Sequence, residues 1–227
     1  MFDINALNKL YEDLSAPNGM NVSDFHKNLK NLFEDERSEI DLNYFRLGRP
    51  PWKKLRDEIC PVSGFLKYRK IETGQVRFPL DNNTPDCWLI NNGINSGIEV
   101  TIERGKERHF RNTELIETGM GRGFLGIQDD APREDFEKRI SKPRTTYTTD
   151  QALQSTKDGI LRCLSRKNNP KYEGVFYLLI QTDFSILPKE RWITIIVELQ
   201  KQAENVPFQQ VHVIGNANQE PWGFQIK

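Results

Sequence analysis

The chain has little cysteine, no net charge and no long hydrophobic run. Its three cysteines are odd in number and far apart, which excludes a disulfide framework and a zinc site built on Cys-x-x-Cys pairs. The 32 Lys and Arg balance the 32 Asp and Glu, so any site for a polyanion must be local. No apolar run approaches the roughly 18 residues that a membrane-spanning helix requires. The first residues also lack the basic region of a secretory leader. We therefore expect a soluble, cytoplasmic protein that does not act at a membrane.

The first third of the chain has the hydrophobic period of helices. Apolar residues recur at helical spacing from Phe2 to Leu14 and from Val22 to Phe33. A third helix should begin at Pro51, because proline is favoured in the first turn of a helix. With 227 residues, the chain can bury one sizeable core. We expect residues 1–50 to form a helical extension and residues 51–227 to form the main domain.

Beyond residue 75 the period changes to that of strands. Short apolar segments separated by Asn, Gly and Pro predict an antiparallel meander, with strands over 75–80, 86–90 and 97–102. The charged segment 105–147 is predicted to form long loops with a short helix over 134–140. The remaining elements are a helix from Thr148 or Thr149 to about Arg166, a buried parallel strand over 175–180, a helix over 188–203 and a strand over 210–214. This order predicts an α/β fold with a mixed central sheet flanked by helices.

Two of the predicted strands each carry one acid. Asp86 begins one strand, and Glu99 alternates with the apolar residues Ile98 and Val100 in the next, so its side chain leaves the opposite face. If the two strands are neighbours, the carboxylates of Asp86 and Glu99 converge. Two hard oxygen ligands completed by water suit Mg²⁺ or Mn²⁺. Such an ion polarises a phosphate and lowers the pKa of a bound water, which predicts phosphodiester hydrolysis.

The segments Pro85-Asp86 and Glu99-Val100-Thr101, in this order of elements, resemble the PD-(D/E)XK restriction-endonuclease-like nuclease superfamily over roughly residues 51–215. The resemblance implies a restriction-endonuclease-like fold and a Mg²⁺-dependent DNA endonuclease, in the setting of restriction or defence. It makes Asp86 and Glu99 the metal ligands. The superfamily places a lysine two residues after the glutamate, where this chain has Thr101.

Because Thr101 stands at the lysine position, a lysine from another part of the fold would have to supply the positive charge. Lys157 lies in line with the apolar stripe of Leu153, Ile160 and Leu164, where an ammonium must pair, snorkel or take part in chemistry. We predict that Lys157 stabilises the attacking water, with a lysine whose stem covers apolar surface as the alternative. Lys106 is a competing candidate, and Glu58 on the first helix of the main domain is a possible further ligand.

Two basic clusters are candidate DNA contacts. Lys106, Arg108 and Arg111 form the first, and Lys142 and Arg144 form the second. Glu103 and Glu107 dilute the first cluster, so a solvated charged loop is the alternative. The segment 119–123, Gly-Met-Gly-Arg-Gly, lacks the Gly-Lys-Ser/Thr ending of a phosphate-binding loop and is interpreted as a flexible turn.

Two other functions remain open from the sequence. The fold can persist as a catalytically inactive module that binds nucleic acid or protein, with Thr101 as the sign of lost activity. Alternatively, the first 50 residues can dock a partner protein. A homodimer is expected if both DNA strands are cut, because one metal site cuts one strand at a time.

Overall fold

The structure, a computed structural model, describes residues 4–34, 38–81, 83–216 and 221–227. The Phe2 end of the first predicted helix lies outside these residues. Over the described chain the helices are α1 (Ile4–Ser15), α2 (Val22–Glu34), α3 (Glu39–Leu47), α4 (Trp52–Lys54), α5 (Cys60–Tyr68), α6 (Gly105–Thr118), α7 (Arg133–Ser141), α8 (Thr149–Lys167) and α9 (Lys189–Ala203). A π-helical turn, Leu55–Ile59, joins α4 to α5.

The described strands form one mixed sheet of seven strands in the order of the sequence. The strands are β1 (Met20–Asn21), β2 (Gln75–Arg77), β3 (Cys87–Asn91), β4 (Ile94–Ile102), β5 (Tyr177–Gln181), β6 (Gln210–Ile214) and β7 (Gly223–Gln225). Strands β1 to β4 are antiparallel, β4, β5 and β6 are parallel, and β7 is antiparallel to β6. The predicted meander and the buried parallel strand are both confirmed, and so is a mixed sheet flanked by helices.

Each face of the sheet is covered by its own layer of helices. One core joins α1, α2, α4, the π-turn and α5 to β2, β3 and the Ile98 and Val100 side of β4. The second core joins α8 and α9 to Leu178 and Ile180 of β5 and to β6. Because both faces are covered, Glu99 on the second side of β4 and Glu103, just after the end of β4, are buried rather than solvated. Acids in such a position require partners or a bound cation.

Helices α1 and α2 are part of the first core. Leu7, Leu10 and Leu14 of α1 and Phe25 of α2 are buried against the sheet layer. The Tyr11 hydroxyl donates to the carbonyl of Pro51 at 2.7 Å and accepts from the amide of Leu55 at 3.2 Å. The apolar faces of α1 and α2 are thus used within the chain. None of the described helices is both long and apolar enough to cross a membrane.

The segment predicted as long loops contains a four-turn helix, α6. Its interior is not lined by apolar side chains: the buried residues of α6 are Glu107 and Glu114. Glu107 accepts hydrogen bonds from the amides of Leu125 and Ile127, and Glu114 binds the guanidinium of Arg122. A helix held by buried acids has no apolar stripe, so hydrophobic periodicity does not detect it.

Candidate active site

Asp86, the residue before β3, lies close to Glu99 of the neighbouring strand β4. Cys87 of β3 pairs with Ile98 of β4 in antiparallel register, so the preceding residue, Asp86, faces Glu99. Directly opposed residues project to the same side of a sheet. The Asp86 carboxylate also accepts a hydrogen bond of 2.8 Å through Oδ2 from the amide of Val100. This bond holds the carboxylate over β4, beside Glu99.

A lysine that the sequence analysis did not select contacts this pair. The Nζ of Lys167, the last residue of α8, lies 2.6 Å from Glu99 Oε1 and 3.0 Å from the hydroxyl of Tyr172. Both partners of the ion pair are largely shielded from water, with 15% of the Lys167 side chain and 7% of the Glu99 side chain exposed. The structure thus places an ammonium group directly at Glu99, close enough to Asp86 to lower the pKa of that acid.

The position of Lys167 follows from how α8 crosses β4. Gly159 lies against Glu103, Cys163 lies 3.9 Å from the Thr101 hydroxyl, and Lys167 meets Glu99. Four residues of helix advance about 6 Å, and two residues of strand advance about 6.6 Å. The two elements therefore stay in register while they run in opposite directions. Each step of four residues along this face of α8 therefore matches a step of two residues back along the chain from Glu103 to Glu99.

The prediction for Lys157 is not supported by this geometry. Lys157 lies ten residues before Lys167 and binds Glu198 of α9, at 2.7 Å from Nζ to Oε2. Its apolar stripe, with Leu153, Ile160 and Leu164, belongs to the core shared with α9. The side of α8 that meets β4 is marked instead by Gly159, Cys163 and Lys167 at a spacing of four. Two small residues followed by a lysine at this spacing are the signal that could have identified Lys167.

Glu58 lies near the acid pair, on the π-turn between α4 and α5. Its carboxylate pairs with Lys54 at 2.5 Å. Burial raises the pKa of Glu58 against the effect of Lys54, and the charge of Asp86 raises it further. Single π-turns inside helices occur frequently at functional sites. Glu58 therefore forms the edge of the site, with its charge already balanced by a lysine.

The pKa values of the central acids reflect burial and mutual repulsion. Burial raises the pKa of Asp86, opposed by the Val100 amide and by Lys167. Burial also raises the pKa of Glu99, and the neighbouring Asp86 charge adds to this, while Lys167 opposes it. For Lys167 burial alone would lower the pKa, but contact with Glu99 holds it above its usual value. The site thus concentrates negative charge in a shielded position, and the ammonium of Lys167 is in direct contact with it.

A divalent cation fits the donor atoms of Asp86 and Glu99. The Oε2 of Glu99 is buried and has no hydrogen-bond partner among the described residues, a costly state for a carboxylate oxygen unless a cation binds it. Within the same described ranges, no three His, Cys, Asp or Glu side chains are spaced as a metal-binding group. Two carboxylates are the share of ligands that a protein commonly gives to Mg²⁺, which keeps several waters. The pair does not suit a site closed entirely by protein ligands.

Thr101 does not take the place of the lysine that the resemblance leads one to expect. Its hydroxyl faces Cys163 of α8, so it contributes to the contact between helix and sheet. The positive charge near Glu99 comes instead from α8, and Lys171 in the turn after it also lowers the pKa of Glu99. Lys53 and Lys54 act in the same direction on Asp86.

The basic residues predicted to bind DNA are arranged differently. Arg108 is engaged within the protein: its guanidinium binds the Asp57 carboxylate and donates to Gln181 at 3.3 Å. Lys106 is exposed on α6, and Lys142 and Arg144 are exposed between α7 and α8. Arg111 and Arg144 line a cavity beyond the end of β5. This cavity lies near the start of α8, whereas the acid pair lies near the end of that helix. The lysines that surround the acids were not among those predicted.

Comparisons of the chain with families of proteins, with curated proteins and with solved structures found no match.

Proposed function

We propose that the protein is a metal-dependent endonuclease that hydrolyses phosphodiester bonds in DNA. The observation that carries the proposal is the buried carboxylate of Glu99, beside the half-buried Asp86, with one unpartnered oxygen and an ammonium at 2.6 Å. The order of elements supports the proposal: helices α4 and α5 precede three antiparallel strands, β2 to β4, and helices α6 to α8 lead to the parallel strand β5.

Each residue of the site has a distinct role in this proposal. Asp86 and Glu99 would hold Mg²⁺ or Mn²⁺, which when bound supplies Lewis-acid polarisation of the phosphate and a more acidic water. Asp86 is oriented by its hydrogen bond from Val100, and Tyr172 holds the amine of Lys167. The Lys167 ammonium supplies a fixed positive charge where negative charge develops on the phosphate.

The surface around the acids is suited to a polyanion. Lys53 and Lys171 are exposed on the two sides of the pair and are close enough to lower the pKa values of Asp86 and Glu99 respectively. Lysines bind phosphates as point charges, without reading the base sequence. These two side chains are therefore the proposed contacts with phosphates that flank the cleaved bond.

Cleavage of supercoiled and linear DNA in Mg²⁺ or Mn²⁺ tests the proposal. We expect Asp86→Asn and Glu99→Gln each to lower the rate by about 10²-fold or more, while Asp135→Asn, an exposed acid on α7, leaves it unchanged. Mn²⁺ should also raise the melting temperature of the wild type more than that of Glu99→Gln. Equal cleavage by all four proteins would identify a contaminating nuclease and refute the assignment.

A second candidate is an inactive nuclease-like module that binds nucleic acid. It is favoured by the Lys167 contact, because an ammonium on Glu99 Oε1 neutralises the carboxylate without any metal. This candidate predicts salt-dependent DNA binding without cleavage in either metal. It also predicts that Mn²⁺ does not shift the melting temperature.

A further inference from the structure

A cavity lies near the start of α8, at the opposite end of this helix from the acid pair. It has a volume of about 430 Å³ and reaches Ala152 near the start of the helix, within the range of about 300–1,000 Å³ typical of small-molecule sites. Ala152 and Lys167 are fifteen residues apart, which corresponds to roughly 22 Å along a helix. The cavity is therefore separate from the proposed metal site.

The lining of the cavity is strongly cationic. It contains four arginines and one acid: Arg111, Arg122, Arg139, Arg144 and Asp183. Arg122 is satisfied within the protein, because its guanidinium binds Glu114 and the carbonyls of Arg139, Ile140 and Lys142. It serves as a structural clamp that closes the segment 119–123 against the end of α7.

Arg139 and Arg144 have donors to spare. Arg144 is exposed and makes no hydrogen bond or ion pair with any part of the chain that the structure describes. Arg139 makes one long hydrogen bond, of 3.4 Å, to the Thr145 hydroxyl. Arg111 is more engaged: it donates through Nε to the Arg122 carbonyl at 2.8 Å, its Nη2 lies 3.6 Å from Asp183, and its Nη1 lies 4.0 Å from Glu107 Oε1. A planar guanidinium with free N–H groups matches the oxygens of a phosphate.

Aromatic rings form the adjoining part of the lining. Phe124 and Tyr147 meet edge to face, with ring centroids 4.9 Å apart, and both line the cavity. The Tyr147 hydroxyl is held by the Leu125 carbonyl at 2.5 Å, which fixes the orientation of the ring. The two rings offer half-buried aromatic surface to a planar ligand, since aromatic groups stack or meet edge to face at such distances.

We propose that this cavity binds a nucleoside phosphate, with the phosphate at Arg139 and Arg144 and the base against Phe124 and Tyr147. The charge selects the phosphate, and the aromatic pair selects the ring. Gly123 lies at the wall with open space where a side chain would stand, so the segment 119–123 leaves room for the ligand. A free nucleotide and the 5′-phosphorylated end of a strand carry the same chemistry. The proposal stands independently of cleavage at Asp86 and Glu99.

Titration calorimetry in EDTA tests this site without any metal-dependent reaction. The probes are AMP, adenosine, inorganic phosphate and a 5′-phosphorylated tetranucleotide with its unphosphorylated form. We expect AMP or the phosphorylated strand to bind at least 10-fold more tightly than adenosine or phosphate, and the stronger of the two identifies the natural source. Asp86→Asn should bind as the wild type does, so failure of the nuclease assignment leaves this result unaffected.

Two variants and one control locate the binding. Arg144→Gln should lower the affinity for AMP by about 10-fold or more. Arg133→Gln, an arginine on α7 outside the cavity and 78% exposed, should leave AMP binding unchanged. Phe124→Leu should lower the ratio of AMP affinity to phosphate affinity, a ratio that does not depend on the fraction of folded protein. Absence of binding by both AMP and the phosphorylated strand, or equal affinity in Arg144→Gln, would overturn the proposal. Equal affinity for AMP and inorganic phosphate would do the same.

Discussion

Replacing Lys167 by Met should destabilise the fold far more than replacing Lys157 by Met. Both lysines lie on α8 and pair with a glutamate at nearly the same distance, 2.6 Å to Glu99 and 2.7 Å to Glu198. Methionine keeps most of the apolar stem, so each variant removes chiefly the charge. The two variants are thus a matched pair that differs in the surroundings of the acid.

The expected magnitudes follow from the exposure of the two acids. At an effective dielectric constant of about 20, opposite charges 2.6 Å apart attract by roughly 6 kcal/mol, and desolvation offsets much of this. Only 7% of the Glu99 side chain is exposed, so removal of Lys167 leaves a shielded charge beside Asp86 and should cost about 3 kcal/mol. The Glu198 side chain is 54% exposed, so water replaces Lys157 at a cost of at most about 1 kcal/mol.

Urea unfolding near pH 7.5 measures both free energies of unfolding. Double-mutant cycles with Glu99→Gln and Glu198→Gln should give coupling energies of about 2–3 kcal/mol for the Lys167 pair and below about 1 kcal/mol for the Lys157 pair. Equal costs for the two lysine variants, within about 0.5 kcal/mol, would refute the conclusion that Lys167 neutralises a buried acid.

Three further predictions concern other parts of the molecule. Burial lowers the pKa of His212 to about 4, so its folded form stays neutral and stability is lost as the pH falls from about 6.5 towards 4. Between about pH 7.5 and about pH 5, the free energy of unfolding, measured with urea, should fall by roughly 2 kcal/mol less in His212→Phe than in the wild type. An identical fall in both proteins would contradict this. The Cβ of Gly159→Ala would overlap Glu103 Oε1, with an expected cost of about 1–2 kcal/mol. Gly123→Ala enters open space and should change the unfolding free energy by less than about 0.5 kcal/mol, so equal effects would exclude a close contact at Gly159. In the DNA cleavage assay Lys167→Met should lower the rate by about 10²–10³-fold, whereas a rate within twofold of the wild type would remove this lysine from the mechanism.

The sequence identified those features that depend on short-range periodicity. Alternation along β4 separates Ile98 and Val100 from Glu99, and the turn between β3 and β4 makes the strands neighbours. These two local rules are sufficient to predict that Asp86 and Glu99 face each other. The central strands and most of the flanking helices were predicted for the same reason, because their apolar faces follow periods of 2 or 3.6 residues.

The sequence alone did not identify features that depend on which polar groups meet across the fold. Arg108 has the same local sequence character as an exposed DNA contact, yet it is held by Asp57 from the π-turn, 51 residues earlier. Glu107 and Glu114 support α6 through backbone amides and a guanidinium that come from the following segment. No local pattern indicates these partners.

The choice between Lys157 and Lys167 separates the two kinds of information most clearly. Helical periodicity by itself determined that a lysine of α8 would lie near buried surface, and strand periodicity determined where the acids would lie. Only the tertiary structure decided which lysine meets Glu99, because the crossing of α8 over β4 sets which residues of the helix face that strand. The reason is geometric: periodicity defines the faces of one element, whereas contact between two elements depends on their relative translation and rotation.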